Sequence, residues 1–352
     1  MHSISFRACP QHREHSTAAM SSARRVEEIK LDVPWGHVAG KAWGSRQATR
    51  VLVVHGHLDN AGSFDRLIPM LPDTFYYVAI DLPGHGFSSP LPLGVQLDYF
   101  NYVLAIRLVL EALKWDSCLY LGHSFGAQLG VIYSILYPGK VSRIVCLDGF
   151  VPTPIEPGEL ATSIQHVQDA TVSANAAKTA PLYTKDEILY ALSNKRVFPL
   201  NSRAAEALFV RATTKVGELY KYNRDLRLRS HSPIPLFYVG QYAELVKDLK
   251  IPVLIVLAEF SWFASDRYMN SLETVIKSMR GSNYIVTKVP GNHDVHNNSP
   301  EVVAINNVRC PAKGAIRYKF FFKYLTDVES KKSTTSEVLR ILIIASGTVN
   351  WV

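Results

Sequence analysis

The chain has 352 residues, of which 47% are hydrophobic and 19% charged, with a formal net charge of +8. That length holds one large domain or two modest ones around a sizeable core. The composition excludes a wholly disordered chain, collagen and a disulfide-stapled miniprotein. Residues 1–25 carry a net +3 and residues 309–352 a net +5, so 26–308 is balanced and nucleic-acid binding is not expected.

Residues 1–25 lack an apolar h-region, so a secretory signal is not expected. Their Arg, Ser and scarce acids faintly resemble a transit peptide. The expectation is a disordered extension, with Met20 as an alternative start. Val51–His55 and Tyr76–Asp81 are short apolar runs stopped by Gly56 and by Pro83-Gly84, and they read as strands. Val103, Ile106, Leu110 and Leu113 form one stripe, which predicts a helix over Val103–Leu113. Cys118–Leu121, Ala127–Tyr137 and Ile144–Leu147 continue as strand, helix and strand. Strands that are apolar throughout are buried on both faces, so a mostly parallel sheet with helices on both faces is expected.

From residue 150 the strand rhythm stops. Lys185–Ser193, Ser202–Thr213 and Asn223–Arg229 lean helical, and a strand signal returns only at Pro235–Val239. The sheet resumes with Ile251–Ala258, then a helix over Tyr268–Met279, a strand at Tyr284–Val289 and a final helix over Glu301–Val308. The expected organisation is a core of 26–149 and 246–308, a helical cap at 150–245, and a basic extension at 309–352. The apolar end Ile341–Val352 is too short to span a bilayer, and Asn-Trp-Val is not a peroxisomal tripeptide. Cys9, Cys118, Cys146 and Cys310 are scattered without a CxxC pair, so no zinc knuckle or redox pair is expected. A reducing compartment fits them best.

The strongest chemical signal is Gly122-His123-Ser124-Phe125-Gly126 between the strand CLYL and the helix AQLGVIY. A serine on a tight strand-to-helix turn is lifted above the sheet at a helix N-terminus, as a nucleophile requires. The plain alternative is a hydroxyl used as a helix N-cap. Acyl transfer also needs donors for a developing oxyanion. The N–H of Phe125 and that of His57, in the loop His55-Gly56-His57, are the candidates. His85, in Asp81-Leu82-Pro83-Gly84-His85-Gly86, is expected to serve its own turn. The base must be a histidine on another loop. His293, in Pro-Gly-Asn-His-Asp-Val-His, is the candidate, with His296 as competitor. The spacing of these two histidines lacks the carboxylate frame of a metal site, so no metal is expected. The acid should lie between serine and histidine in the chain. Asp148, at the end of IVCL, is the first candidate, and Glu259 and Asp266 are alternatives. Ser261 occupies the usual acid position and cannot serve.

The opening VPWGHVAGKAWG, together with HGHLDNAGSFDRLIPMLP, FYYVAIDLPGHGFSS, LGHSFGAQLG and VPGNHDVH, resembles the serine hydrolase-like proteins of animals. The similarity runs over about residues 28–305, is dense over 30–150 and thin in the cap. It implies the α/β-hydrolase fold, in a layout similar to bacterial haloalkane dehalogenases and esterases, and it implies Ser124 as nucleophile. Two positions depart from the family. His57 stands where it carries an aromatic residue, and residues 309–352 do not look like its last helix.

The combined expectation is a serine hydrolase of small, largely apolar esters, working through Ser124, His293 and Asp148 without a cofactor. A small-molecule ester is the expected partner, with no nucleic acid and no membrane-spanning segment, and the sequence leaves the oligomeric state open. The cytoplasm is the expected compartment, and the resemblance adds perinuclear or peroxisomal placement. The alternative is a catalytically weak or inactive ligand-binding protein on the same scaffold.

Overall fold

The computed structural model describes residues 25–153, 155–176, 180–229, 237–279 and 284–304. The expected terminal extensions, Cys9, Cys310, the first two residues of the expected strand at Pro235–Val239, and the second half of the expected last helix lie outside the described residues.

The described residues open with an antiparallel hairpin, β1 (Val26–Val33) and β2 (Gly36–Trp43), which turns at Gly36 with φ 140°. The apolar runs predict no strand there. Its signal is the alternation of Ile29, Leu31 and Val33 with Lys30 and Asp32. β3 (Thr49–Val54), β4 (Phe75–Ile80), α1 (Tyr99–Ala112), β5 (Cys118–His123), α2 (Phe125–Leu136) and β6 (Val141–Leu147) follow. They lie where the apolar runs predict, to within a few residues at their ends.

Between β6 and the next sheet strand lie α3 (Leu160–Ala176), β7 (Leu182–Tyr183), α4 (Lys185–Asn194), α5 (Ser202–Ala212), β8 (Thr213–Val216), β9 (Leu219–Tyr222) and α6 (Val239–Val246). The segment is mainly helical, and β7, β9 and β8 add a small antiparallel sheet of their own. Of the expected strand at Pro235–Val239 the described residues 237–239 form none, because Val239 opens α6. That helix packs against α7 (Asp266–Ser278), which follows β10 (Val253–Phe260). The expected boundary at residue 245 therefore cuts α6. β11 (Tyr284–Asn292), α8 (Val295–Asn298) and α9 (Pro300–Ala304) complete the described chain.

The main sheet has eight strands in the order β1-β2-β4-β3-β5-β6-β10-β11. The six from β4 to β11 run parallel, and β2 joins β4 antiparallel. Alternate residues sort to opposite faces, as strand pleating requires. Leu52, Val54, Tyr120, Ile144 and Ile255 pack beneath α1, α2, α6 and α7. Val51, Val53, Leu121, Val145 and Val256 face Phe64, Leu67, Val295 and Val303 on the other side. Both faces are thus covered, and the carboxyl ends of β3, β5, β6 and β11 meet at one edge. The inserted segment keeps a core of its own, built on Ile188, Leu192, Leu208 and Phe209.

Buried ion pairs tie this insertion to the sheet. Arg211 of α5 donates to Asp81 beyond β4 and to Glu28 of β1. Its side chain and that of Asp81 are buried. Arg227 bonds Asp225 and the Leu91 and Pro92 carbonyls. Among the described residues no helix is long and apolar enough to cross a membrane.

Candidate active site

Ser124 joins β5 to α2 with φ 49° and ψ −119°, a left-handed conformation that side-chain-bearing residues rarely adopt. The fold imposes this geometry by close packing. A Cβ on Gly126 would lie 2.3 Å from the Val54 carbonyl oxygen, and one on Gly122 2.5 Å from the Ala127 Cα. The Ser124 N–H donates to the Leu147 carbonyl at 2.9 Å, which pins the turn to β6. The Ser124 hydroxyl caps no N–H of α2. It lies instead 3.0 Å from Nε2 of His293.

His293 follows β11, and its Nδ1 lies 2.6 Å from Oδ2 of Asp148. The neighbours settle the tautomer. A carboxylate only accepts, so Nδ1 carries the proton and Nε2 accepts from the serine hydroxyl. Asp148 is fully buried at the end of β6, with φ 42°. Its Oδ1 accepts from the Ala258 N–H at 2.7 Å and from the Ser261 hydroxyl at 3.2 Å. Its own N–H donates to the Val256 carbonyl at 2.7 Å. The next residues are held just as firmly. The Tyr268 hydroxyl accepts from the N–H groups of Phe150 and Val151, and the Tyr242 hydroxyl donates to the Phe150 carbonyl. Glu259 and Asp266, the alternative acids, are exposed. His296, the competitor for base, is buried against His123 and Phe64.

The loop after β3 closes over the serine. A Cβ on Gly56 would stand 3.1 Å from the Ser124 Cβ, so glycine allows the approach. His57 and Phe125 line the same cleft as Ser124, and their rings meet edge to face at 6.5 Å. Leu58, at φ 64°, donates its N–H to Nε2 of His85 at 3.3 Å, while Nδ1 of His85 donates to the Pro83 carbonyl. His85 thus reaches beyond its own turn to hold the neighbouring loop. His55 likewise accepts from the Leu82 N–H and donates to the Gly56 carbonyl. Burial pushes His55 down to about 4 and His85 down to about 3, so both are neutral hydrogen-bonding struts at neutral pH.

A polar cluster behind the histidine was not anticipated from the sequence. Arg196, in the connection after α4, places one guanidinium nitrogen 3.1 Å from Oδ1 of Asp59 and 3.1 Å from Oδ1 of Asp294. Asp294 is next to His293, and Asp59 lies two residues beyond His57. Those two acids beside candidate site residues were the only signal, because nothing local marks Arg196. His123 donates from Nε2 to the His293 carbonyl at 2.9 Å. Asp59, His123 and His296 bring ligand-type atoms within 4.8 Å of one another. The two imidazoles stack at 3.9 Å with planes 34° apart, however. Rings bound side by side to one ion spread wider than that, so the trio is a stack and not a ready ligand set.

All these groups line or back a cleft of about 860 Å³. Its walls are mostly apolar, with Leu58, Leu192, Phe198, Trp262 and Phe263 among the residues that line it beside Ser124. Phe198 comes from the insertion, packs on Trp262 at 4.6 Å and touches the His293 ring. The arrangement gives a hydroxyl hydrogen-bonded to an imidazole, itself bonded to a buried carboxylate, on the floor of an apolar cleft.

Comparison with known proteins agrees with this architecture. The family described as the alpha/beta hydrolase fold matches residues 49–287. Human "Serine hydrolase-like protein 2" is 37% identical over 79% of this chain and 92% of its own. Mouse "Serine hydrolase-like protein" is 34% identical over 79% of this chain and 93% of its own. The crystal structure of hypothetical protein PA1622 from Pseudomonas aeruginosa superposes with a TM-score of 0.70 at 29% identity, covering 78% of this chain and 94% of that one. The chain belongs to the α/β hydrolase fold family and, within it, to the serine hydrolase-like proteins.

Proposed function

We propose that this protein hydrolyses small, largely apolar carboxylic esters by acyl transfer to Ser124. The observation that carries the reading is the unbroken hydrogen-bond chain Ser124–His293–Asp148 on the cleft floor. In this mechanism His293 Nε2 takes the proton as the Ser124 oxygen attacks the ester carbonyl. Asp148 keeps the Nδ1–H tautomer and stabilises the imidazolium that forms. The backbone N–H groups of His57 and Phe125 receive the oxyanion, aided by the N-terminus of α2. His293 then protonates the leaving alcohol, activates water and releases the acid. No cofactor takes part. The inserted segment from α3 to β9 acts as a cap that screens the site from water, and the apolar walls select the substrate.

The test pairs a fluorophosphonate probe with a panel of p-nitrophenyl esters of two to eight acyl carbons. The reading expects probe labelling that Ser124→Ala abolishes, together with saturable turnover. A folded wild-type chain that neither labels nor turns over any ester would support the ligand-binding alternative instead.

A further inference from the structure

We propose that Arg196 is a positioning residue of this site: its guanidinium clamps Asp59 and Asp294, and so locks the oxyanion loop against the loop that carries His293. The inference rests on the serine-hydrolase reading for its kinetic consequences, but its structural content stands apart from it.

The loop after β3 and the loop after β11 come from opposite sides of β5 in the sheet order, and the sheet alone does not bind them to each other. Both must hold their backbones to a fraction of an ångström if an oxyanion donor and a general base are to act on one substrate. Arg196 supplies a link. A single nitrogen bonds Asp59 at 3.1 Å and Asp294 at 3.1 and 3.3 Å. The two carboxylate side chains are 2% and 3% exposed. The guanidinium stays charged when buried, and its shape fixes where that nitrogen sits, which the flexible ammonium of a lysine does less well.

The charges around the clamp reveal a second element. Two carboxylates face one guanidinium, leaving one unit of buried negative charge. Beside them, His123 is 1% exposed, and its Nδ1 has no hydrogen-bond partner. Because Nε2 donates to the His293 carbonyl, Nδ1 is the bare acceptor. It lies 3.7 Å from Oδ2 of Asp59. One additional proton between Asp59 and His123 would cancel the excess charge and fill the empty acceptor together. The groups facing Asp59 are Arg196, Asp294, His293 and His123, and burial with the neighbouring Asp294 pushes Asp59 up to about 6. His123 thus stands beside Asp59 without a hydrogen bond to it, while its other ring nitrogen holds the backbone of His293.

Arg196 comes from the inserted segment, so the same contact reports to the catalytic loops whether that segment is seated. This assigns the insertion a second task beyond walling the cleft.

The experiment uses the full-length chain as wild type, Arg196→Met, Arg196→Lys and the double variant Arg196→Met/Asp59→Asn. The double variant removes one buried charge along with its partner, and guards against simple unfolding. Two readouts are taken on samples shown to be folded by circular dichroism. The first is the downfield proton resonance of the His293–Asp148 hydrogen bond, identified by its loss in Asp148→Asn. It needs no turnover. Arg196→Met is expected to shift or broaden it, and Arg196→Lys to keep it closer to its wild-type position. The second is kinetic: Arg196→Met should lower kcat about 10- to 100-fold with KM little changed. The pH profile should move with it, and Arg196→Lys should restore part of the rate. The double variant should be no slower than Arg196→Met, because both changes break one clamp. An unmoved resonance in folded Arg196→Met overturns the proposal, as does a loss confined to KM. A wild type that shows the resonance but never labels with fluorophosphonate refutes the hydrolase reading and leaves the clamp to be judged on the resonance.

Discussion

The Ser261 hydroxyl donates to Asp148 across 3.2 Å, onto the oxygen that also accepts the Ala258 N–H. β6 and β10 are neighbours in parallel register, with Leu147 opposite Val256. A short carboxylate at the end of β6 thus needs little reach to meet donors on β10. Ser261 occupies the usual acid position after β10, and it supports the acid on the adjacent strand. The remaining Asp148 oxygen is directed to His293.

Ser124→Ala should abolish ester turnover, by a factor of about 10⁴ or more, while the fold is retained. Progress curves at high enzyme concentration and near-ultraviolet circular dichroism check both halves. Turnover close to wild type would remove Ser124 from the mechanism.

Asp148→Asn should lower kcat by about 10⁴, because an amide can hold the wrong tautomer and cannot stabilise an imidazolium. Glu259→Gln and Asp266→Asn should stay near wild type, since both residues are exposed. Ser261→Ala removes one of the donors to the carboxylate and should cost about tenfold. Parallel kinetics on the four variants decide among the acids.

Acidification should weaken the fold through its buried histidines. His55, His85 and His123 titrate at about 4, 3 and 3 in the folded chain, held down chiefly by burial, against 6.5 when unfolded. Between pH 6.5 and those values the unfolded chain takes up protons that the folded chain refuses. Stability present above pH 6.5 is therefore lost as pH falls, by up to about 1.4 kcal/mol per pH unit for each histidine. Asp59 works the other way, since its folded value of about 6 lies above the unfolded one and offsets part of the loss below pH 6. Urea midpoints at pH 7.5 and 5.0 measure the balance, with a lower midpoint expected at pH 5.0. Equal midpoints would contradict it.

Arg211→Leu should destabilise the protein by about 3–5 kcal/mol, because it strands the Asp81 carboxylate without its buried partner. Asp81 also accepts from the Ala61 and Phe87 N–H groups, so both turns should loosen. Thermal unfolding reads the first effect and amide hydrogen exchange over residues 58–65 and 84–89 the second. A melting temperature unchanged from wild type would show that this ion pair does not anchor the insertion.

Much of the core was legible because its strands are buried on both faces and read as uninterrupted apolar runs. Val51–His55 and Cys118–Leu121 are examples. Ser124 was legible because Gly122 and Gly126 must flank a turn packed this tightly. The hairpin β1–β2 was missed because its strand signal is short and many of its residues are exposed or half-buried. The strands β7 to β9 are two to four residues long, too short for any periodicity to register. Arg196 was invisible for a different reason. Its partners lie 137 and 98 residues away, and a buried cation is specified by them and by no local pattern.

The tethering of Phe150 and Val151 by Tyr242 and Tyr268 bears on how such proteins diversify. The carboxylate at the end of β6 stands immediately before the insertion, yet its backbone is fastened from α6 and α7, downstream of the inserted residues. The insertion is thus a module whose upstream splice point is buttressed from outside itself. Chimaeras that exchange residues beyond Val151 should keep the carboxylate in register, provided α6 and α7 stay with the host. Substrate range can then drift through replacement of one segment, provided that the new segment keeps a cation to bridge Asp59 and Asp294 as Arg196 does.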